Sequence, residues 1–168
     1  MPFSRLLTAI ALMLVALTGC ARYSVTVNEL PVYEPAALFS DFNIDDRALF
    51  VCVQQTIEDK GITRAEQLTV LNCSHAGIAS LQGLARFTLL EELNLADNKL
   101  NDIHVLQDVA RLRKLDLRDN RLTSANALLS LSNLEQVDLS GNDVLACPEA
   151  RAVAKVVAKT RLPTHCSG

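Results

Sequence analysis

A step of 22 residues governs the middle of this chain. Leu71, Leu93, Leu115 and Val137 follow one another at that interval, and each stands in a repeated frame. Leu90, Leu93, Leu95, Asn98 and Leu100 are followed by Leu112, Leu115, Leu117, Asn120 and Leu122, then by Leu134, Val137, Leu139, Asn142 and Val144. The first line of the series, LTVLNCSHAGI at 68–78, differs, with Cys73 where a leucine recurs and Ala76 where an asparagine recurs. Between frames the apolar positions fall every third residue, as in Ile103, Leu106, Val109, Leu112 and in Ala125, Leu128, Leu131, Leu134. Self-similarity at a fixed period of this size is the mark of a solenoid.

Each part of the period has a physical reading. Alternation in Leu93-Asn94-Leu95 predicts a short strand with one buried face. The three-residue step predicts a 3-10 or irregular return, whose eclipsed side chains line one edge. A single coil cannot cover its own apolar interior, so coils stack and bury it together. Asn98, Asn120 and Asn142 sit where each strand turns, and their amides are expected to point inward and bond the backbone of neighbouring coils. Leucine supplies roughly a sixth of the chain, an excess that the repeat explains. Aromatic residues are scarce, with no Trp, so neither a core of interlocking rings nor an aromatic binding surface is expected.

The frame resembles the leucine-rich repeat family in its 22-residue class, as in internalins, and GIASLQGLARFTLLEELNLADNKLNDIHVL at 77–106 fits that class nearly throughout. The resemblance covers 68–146, about four coils. The fold class is therefore α/β, a short solenoid with a parallel strand ladder, an irregular convex side and helical caps at both ends. The amino-terminal cap is placed at 41–67. Within it Leu49, Cys52, Val53 and Ile57 share one helical face, Asp45 is the expected N-cap and Gly61 the stop, and Thr63 to Glu66 has the spacing of a capping box. This module is similar to the helical caps of internalin-like proteins. The carboxy-terminal cap at 147–168 reads as a helix with Pro148 in its first turn, Glu149 near its start, Lys155, Lys159 and Arg161 toward its end, and Val153, Val156 and Val157 on its apolar face.

The first twenty residues, MPFSRLLTAIALMLVALTGC, set one Arg before an apolar run of about thirteen residues, too short to span a bilayer of about 30 Å. The run ends in Leu17-Thr18-Gly19-Cys20, which resembles the lipobox of bacterial lipoproteins. That resemblance implies a signal peptide at 1–19, a diacylglyceryl group on Cys20, and an outer-membrane anchor in the bacterial envelope, since Ala21 rather than Asp follows. Residues 20–40 hold two prolines and no helical period, as a tether would. Of five cysteines, four remain beyond Cys20, and an oxidising compartment favours two disulfides. Pairing Cys52 with Cys73 and Cys147 with Cys166 is the local one of three connectivities. Other extracellular leucine-rich repeat proteins end in a similar cysteine bracket.

No chemistry-bearing motif appears. His75, His104 and His165 are isolated, no CxxC pair points to a metal, and no nucleophile elbow, P-loop or dinucleotide fingerprint occurs. No cofactor and no catalytic residue is assigned. A net charge of -3 without a basic block argues against nucleic acid. The candidate binding surface is the outward, concave face of the ladder. Alternation places Val70, Asn72 and Ser74 there, then Glu92, Asn94 and Ala96, Lys114, Asp116 and Arg118, and Gln136, Asp138 and Ser140. Four strands about 4.8 Å apart present a few hundred Å², against about 800 Å² per partner in a standard interface. The expected function is that of a lipid-anchored, non-catalytic protein-binding or scaffolding module. Its alternatives are a chiefly structural envelope lipoprotein and a protein that binds an envelope polymer.

Overall fold

The computed structural model describes residues 36–168 and two short strands before them, β1 (Val25–Val27) and β2 (Leu30–Tyr33). The leader expected at 1–19 and the expected lipid site Cys20 lie outside the described residues. Among the described residues no helix is long and apolar enough to cross a membrane. β1 and β2 pair antiparallel, a hairpin inside the stretch expected as a tether. The rest, Leu38–Gly168, is a separate compact unit.

That unit begins with α1 (Arg47–Lys60) and continues through four strands at 22-residue intervals: β3 (Val70–Asn72), β4 (Glu92–Asn94), β5 (Lys114–Asp116) and β6 (Gln136–Asp138). They form one parallel sheet in which Leu71, Leu93, Leu115 and Val137 lie opposite one another, so the sequence period is the sheet register. After each strand the chain passes through the left-handed region at His75, Asp97, Asp119 and Gly141, with φ of 57, 56, 54 and 70°. These positions also recur every 22 residues. Asp and His tolerate this conformation better than branched residues do.

The convex side answers to the three-residue apolar step. Leu106 N–H donates to Ile103 O, Val109 N–H to Leu106 O and Leu112 N–H to Val109 O, and the next coil repeats the relay through Ala125, Leu128, Leu131 and Leu134. The residues that form this 3-10 backbone relay are the ones buried. The asparagines hold coils together. Asn142 Nδ2 lies 2.9 Å from Leu117 O and from Leu139 O, while its Oδ1 accepts from Leu122 N–H at 3.1 Å. Asn98 and Asn120 repeat the pattern on Cys73 O and Ile78 N–H and on Leu95 O and Leu100 N–H. Each asparagine thus serves the coil before its own. The first coil has none before it, and Ala76 stands there exposed.

The caps depart from the sequence expectation in instructive ways. Asp46, not Asp45, is the N-cap of α1, its Oδ1 accepting from Ala48 and Leu49 N–H. Its other oxygen accepts from Ala79 and Ser80 N–H on the first coil, and this second grip decides between two adjacent acids. Gly61 does stop the helix in a left-handed cap. The expected Thr63–Glu66 box is instead closed by Gln67, whose Oε1 accepts from Thr63 and Arg64 N–H. Leu38 and Phe39, assigned to the tether, pack on the core. The scarce aromatics gather here too. The Phe42 centroid lies 5.6 Å from that of Phe50 and 5.8 Å from that of Phe87, and Phe39 joins them. A small total does not prevent rings from filling the wide junction between cap and solenoid.

At the other end α2 (Cys147–Val156) is shorter than expected. Lys159 and Arg161 do not end the helix but form β7 (Lys159–Arg161), a fifth strand parallel to β6 with Thr160 opposite Val137. Val156 is exposed, and Ala150, Val153 and Val157 supply the buried face. In the last coil Leu145 rather than Val144 enters the core. Both local disulfides are present, Cys52–Cys73 with Cα atoms 5.8 Å apart and Cys147–Cys166 with Cα atoms 5.1 Å apart.

Candidate functional site

Parallel pairing in register brings the outward side chains of β3–β7 into rows across the sheet, because residues that differ by one repeat are lateral neighbours. Glu92, Asn94, Lys114, Asp116, Arg118, Gln136 and Asp138 all line one shallow trough of about 390 Å³. Val70 and Asn72 close it at one end and Arg161 at the other. Ala96, expected in the same stripe, is buried and contributes nothing to the surface.

One row has a double task. Asn94 Oδ1 accepts from Ala96 N–H at 3.0 Å, Asp116 Oδ1 from Arg118 N–H at 3.2 Å and Asp138 Oδ1 from Ser140 N–H at 3.0 Å. Asn72 does the same to Ser74 N–H at 3.2 Å. These are Asx turns, in which a short side chain bonds its own backbone two residues on and breaks the strand. They form a second ladder beside the buried asparagines, again with a 22-residue step. Asn94, Asp116 and Asp138 are therefore structural as well as candidate contact residues.

Charges on this face pair, two of the pairs across strands and one, Arg118 with Asp116, within a coil. Lys114 Nζ lies 2.7 Å from Glu92 Oε1, Arg118 Nε 3.4 Å from Asp116 Oδ2, and Arg161 Nη1 3.1 Å from Asp138 Oδ2. Exposed pairs of this kind contribute about 0–1 kcal/mol each, so they set the pattern of the surface rather than its stability. Lys159 and Arg161 were missed as site residues, being read as the basic end of a helix. The repeat points to the stretch but not to its register, since a further step of 22 from Val137 lands on Lys159, one residue short of Thr160, which stands opposite Val137.

The remaining polar clusters are structural. Glu149 Oε2 accepts from Ser124 Oγ at 2.6 Å and Ala125 N–H at 2.9 Å, which hold its carboxyl below the usual range. His104 Nδ1 lies 2.7 Å from Asp102 Oδ2, and His75 Nδ1 lies 3.5 Å from Asp97. His165 sits beside Cys147 and Cys166. Those two sulfurs are joined to each other and offer no thiolate to a metal.

The architecture is a leucine-rich repeat solenoid, and the comparisons agree. A family model for leucine-rich repeats, two copies, matches residues 110–147. In structure the chain is similar to an internalin (inlF) from Listeria monocytogenes, with 25% identity and a TM-score of 0.60 over 71% of this chain and 36% of that one. It is also similar to an internalin C2 (inlC2) from the same organism, with 18% identity and a TM-score of 0.59 over 74% of this chain and 60% of that one. The chain thus spans less than two thirds of the length of either internalin. No curated protein matches it by sequence.

Proposed function

We propose that this protein is a lipid-anchored, non-catalytic binding module of a bacterial cell envelope, and that it holds a protein partner on the open face of its ladder. The observation that carries this reading is the trough itself, where the outward residues of successive coils stand in register while the buried asparagines leave that face free. The likeness to internalin folds supports a binding role over an enzymatic one, and Leu17-Thr18-Gly19-Cys20 supports the anchor. The face remains smaller than the roughly 800 Å² that a standard interface needs from each side, so the partner also touches a flanking edge or cap.

Photo-crosslinking in intact cells tests the reading. A crosslinker at Gln136 is expected to capture one dominant protein, while one at the convex Ser132 captures it at background level, and the pair Lys114→Glu with Arg118→Glu abolishes capture. Equal capture from both faces would sink the proposal. For the anchor, an alkyne fatty acid fed to cells is expected to label the wild type and not Cys20→Ser, and labelling of both would remove it.

A further inference from the structure

The chemistry of the partner follows from how charge is layered on the last three strands. Asp116 and Asp138 are sunk, with side chains 27% and 15% exposed. Each spends one oxygen on its Asx turn, and Asp138 also accepts from Ser140 Oγ at 2.5 Å. Above them stand Arg118 and Arg161, 45% and 75% exposed, each touching its carboxylate with one nitrogen and leaving most of its donor fork to solvent. Lys114 is 52% exposed, and Lys159 makes no ion pair among the described residues. A molecule approaching β5–β7 therefore meets N–H donors first, on a chain whose net charge is -3.

The same end has an open strand edge. Lys159 N–H donates to Glu135 O, and Arg161 O accepts from Leu139 N–H, so the backbone groups of these two residues face β6. By the alternation of a parallel ladder, the N–H and C=O of Thr160 face the other way. A hollow of about 370 Å³ runs along residues 158–161 and the facing part of β6. The opposite edge of the sheet is blocked. Lys60 Nζ donates to Val70 O at 3.0 Å, and the Cys52–Cys73 disulfide ties α1 against β3.

We infer that the partner presents an extended acidic peptide segment that adds as a strand beside β7, its alternate carboxylates pairing with Lys159 and Arg161. This rests on the reading of the ladder as a binding face. The spacing suits it, since Lys159 and Arg161 stand two residues apart, about 6.6 Å along the strand, the interval at which an extended peptide shows side chains on one face. Arg161 offers a fork that takes a carboxylate in two bonds. Main-chain pairing at Thr160 favours a peptide over any other polyanion, because only a peptide returns both a donor and an acceptor. The added strand also lengthens the contact beyond the trough, which is too small alone.

The test is an anisotropy titration of the disulfide-intact protein with a short labelled peptide alternating glutamate and threonine. Saturable binding is expected, weakening about tenfold or more when glutamate is replaced by lysine, and by a similar factor in the variant Lys159→Gln with Arg161→Gln. Methylating the peptide's backbone nitrogens is expected to remove binding, and inorganic polyphosphate of equal charge is expected to compete poorly. Absence of saturable binding overturns the inference. So does equal binding of the methylated peptide, or equal competition by polyphosphate, which would make the edge a site for phosphate polymers. Capture from Gln136 in cells is a separate readout, so a ladder that binds a partner without an acidic strand is distinguishable from one that binds nothing.

Discussion

At the amino-terminal end a disulfide crosses from cap to solenoid, joining Cys52 on α1 to Cys73 in the leucine row of the first coil. At the carboxy-terminal end the disulfide stays inside the cap, joining the start of α2 to the final turn at Thr164–Cys166. Each cap also sends one carboxylate onto a coil, Asp46 onto the backbone N–H groups of Ala79 and Ser80 and Glu149 onto the Ser124 hydroxyl and Ala125 N–H. The first end covers a sheet edge, whereas the second extends the sheet by one strand. An end that is welded to the coil and blocked along its edge is a terminus. An end that adds an exposed cationic strand and keeps its disulfide within the cap leaves a strand edge open, the edge on which the acidic-strand proposal rests.

The asparagine ladder separates the two ends most sharply. Asn142 is fully buried in the last coil, and its removal strands Leu122 N–H, Leu117 O and Leu139 O away from water. At about 1–3 kcal/mol per unsatisfied buried group, Asn142→Ala is expected to cost about 4 kcal/mol in a urea melt. Ala76→Asn at the equivalent place of the first coil is expected to change stability by less than about 0.5 kcal/mol, since that position is exposed and no earlier coil waits for it. A large effect at Ala76 would mean that the cap behaves as a coil, and the contrast between the ends would fail.

Next in size are the disulfides. Sequence separations of 21 and 19 residues give nearly equal loop entropies, about 3 kcal/mol for each bond. The total loss is therefore expected to be similar for Cys52→Ala with Cys73→Ala and for Cys147→Ala with Cys166→Ala, and the place of the loss to differ. Hydrogen exchange is expected to quicken in α1 and at 68–78 for the first pair, and in β7 and the final turn for the second. Matching exchange patterns would show one cooperative unit with no local difference between seams.

The strand register, the convex relay and the role of the buried asparagines were legible because a period of 22 repeats the same physical demands, four times for the strand and three for the asparagine. Seven outward residues were legible for the same reason. What escaped was fixed by contacts that occur once. Asp45 and Asp46 are equal N-cap candidates until the backbone of Ala79 and Ser80 arrives 33 and 34 residues later. β7 hid because Thr160 stands in the leucine slot and charged residues flank it, so the stretch satisfies a helix-dipole argument equally well. The slip from Val144 to Leu145 follows from the chain leaving the repeat to start α2. The first coil's cysteine was visible as an anomaly; it is buried in the leucine slot at 2% exposure and bonded to Cys52 on α1, which makes that line the seam between cap and solenoid.

The smallest expected difference lies in the two carboxylates, and acid exposes it. Asp46 is pushed up by burial but pulled down further by four backbone N–H donors, from Ala79, Leu49, Ser80 and Ala48, so its pKa lies below the ordinary 3.8. Glu149 is lowered from 4.5, first by the Ser124 hydroxyl and then by Ala125 N–H. A carboxyl whose pKa falls on folding adds stability that is complete above its unfolded pKa and fades as pH drops through the folded one. Both contributions are therefore present at pH 7 and lost in acid, beginning near 4.5 for Glu149 and near 3.8 for Asp46. At neutral pH, Asp46→Ala is expected to cost about 2 kcal/mol, combining a lost N-cap with two lost bonds to the first coil. Glu149→Gln, which keeps an acceptor, is expected to cost about 1 kcal/mol. Urea melts stepped from pH 7 to pH 3 should show a shallower acid decline in either variant than in the wild type, with the Asp46 variant diverging at the lower pH. If Asp46→Ala declines with the wild-type slope, its carboxylate does not clamp cap to coil, and the disulfide alone holds the amino-terminal seam.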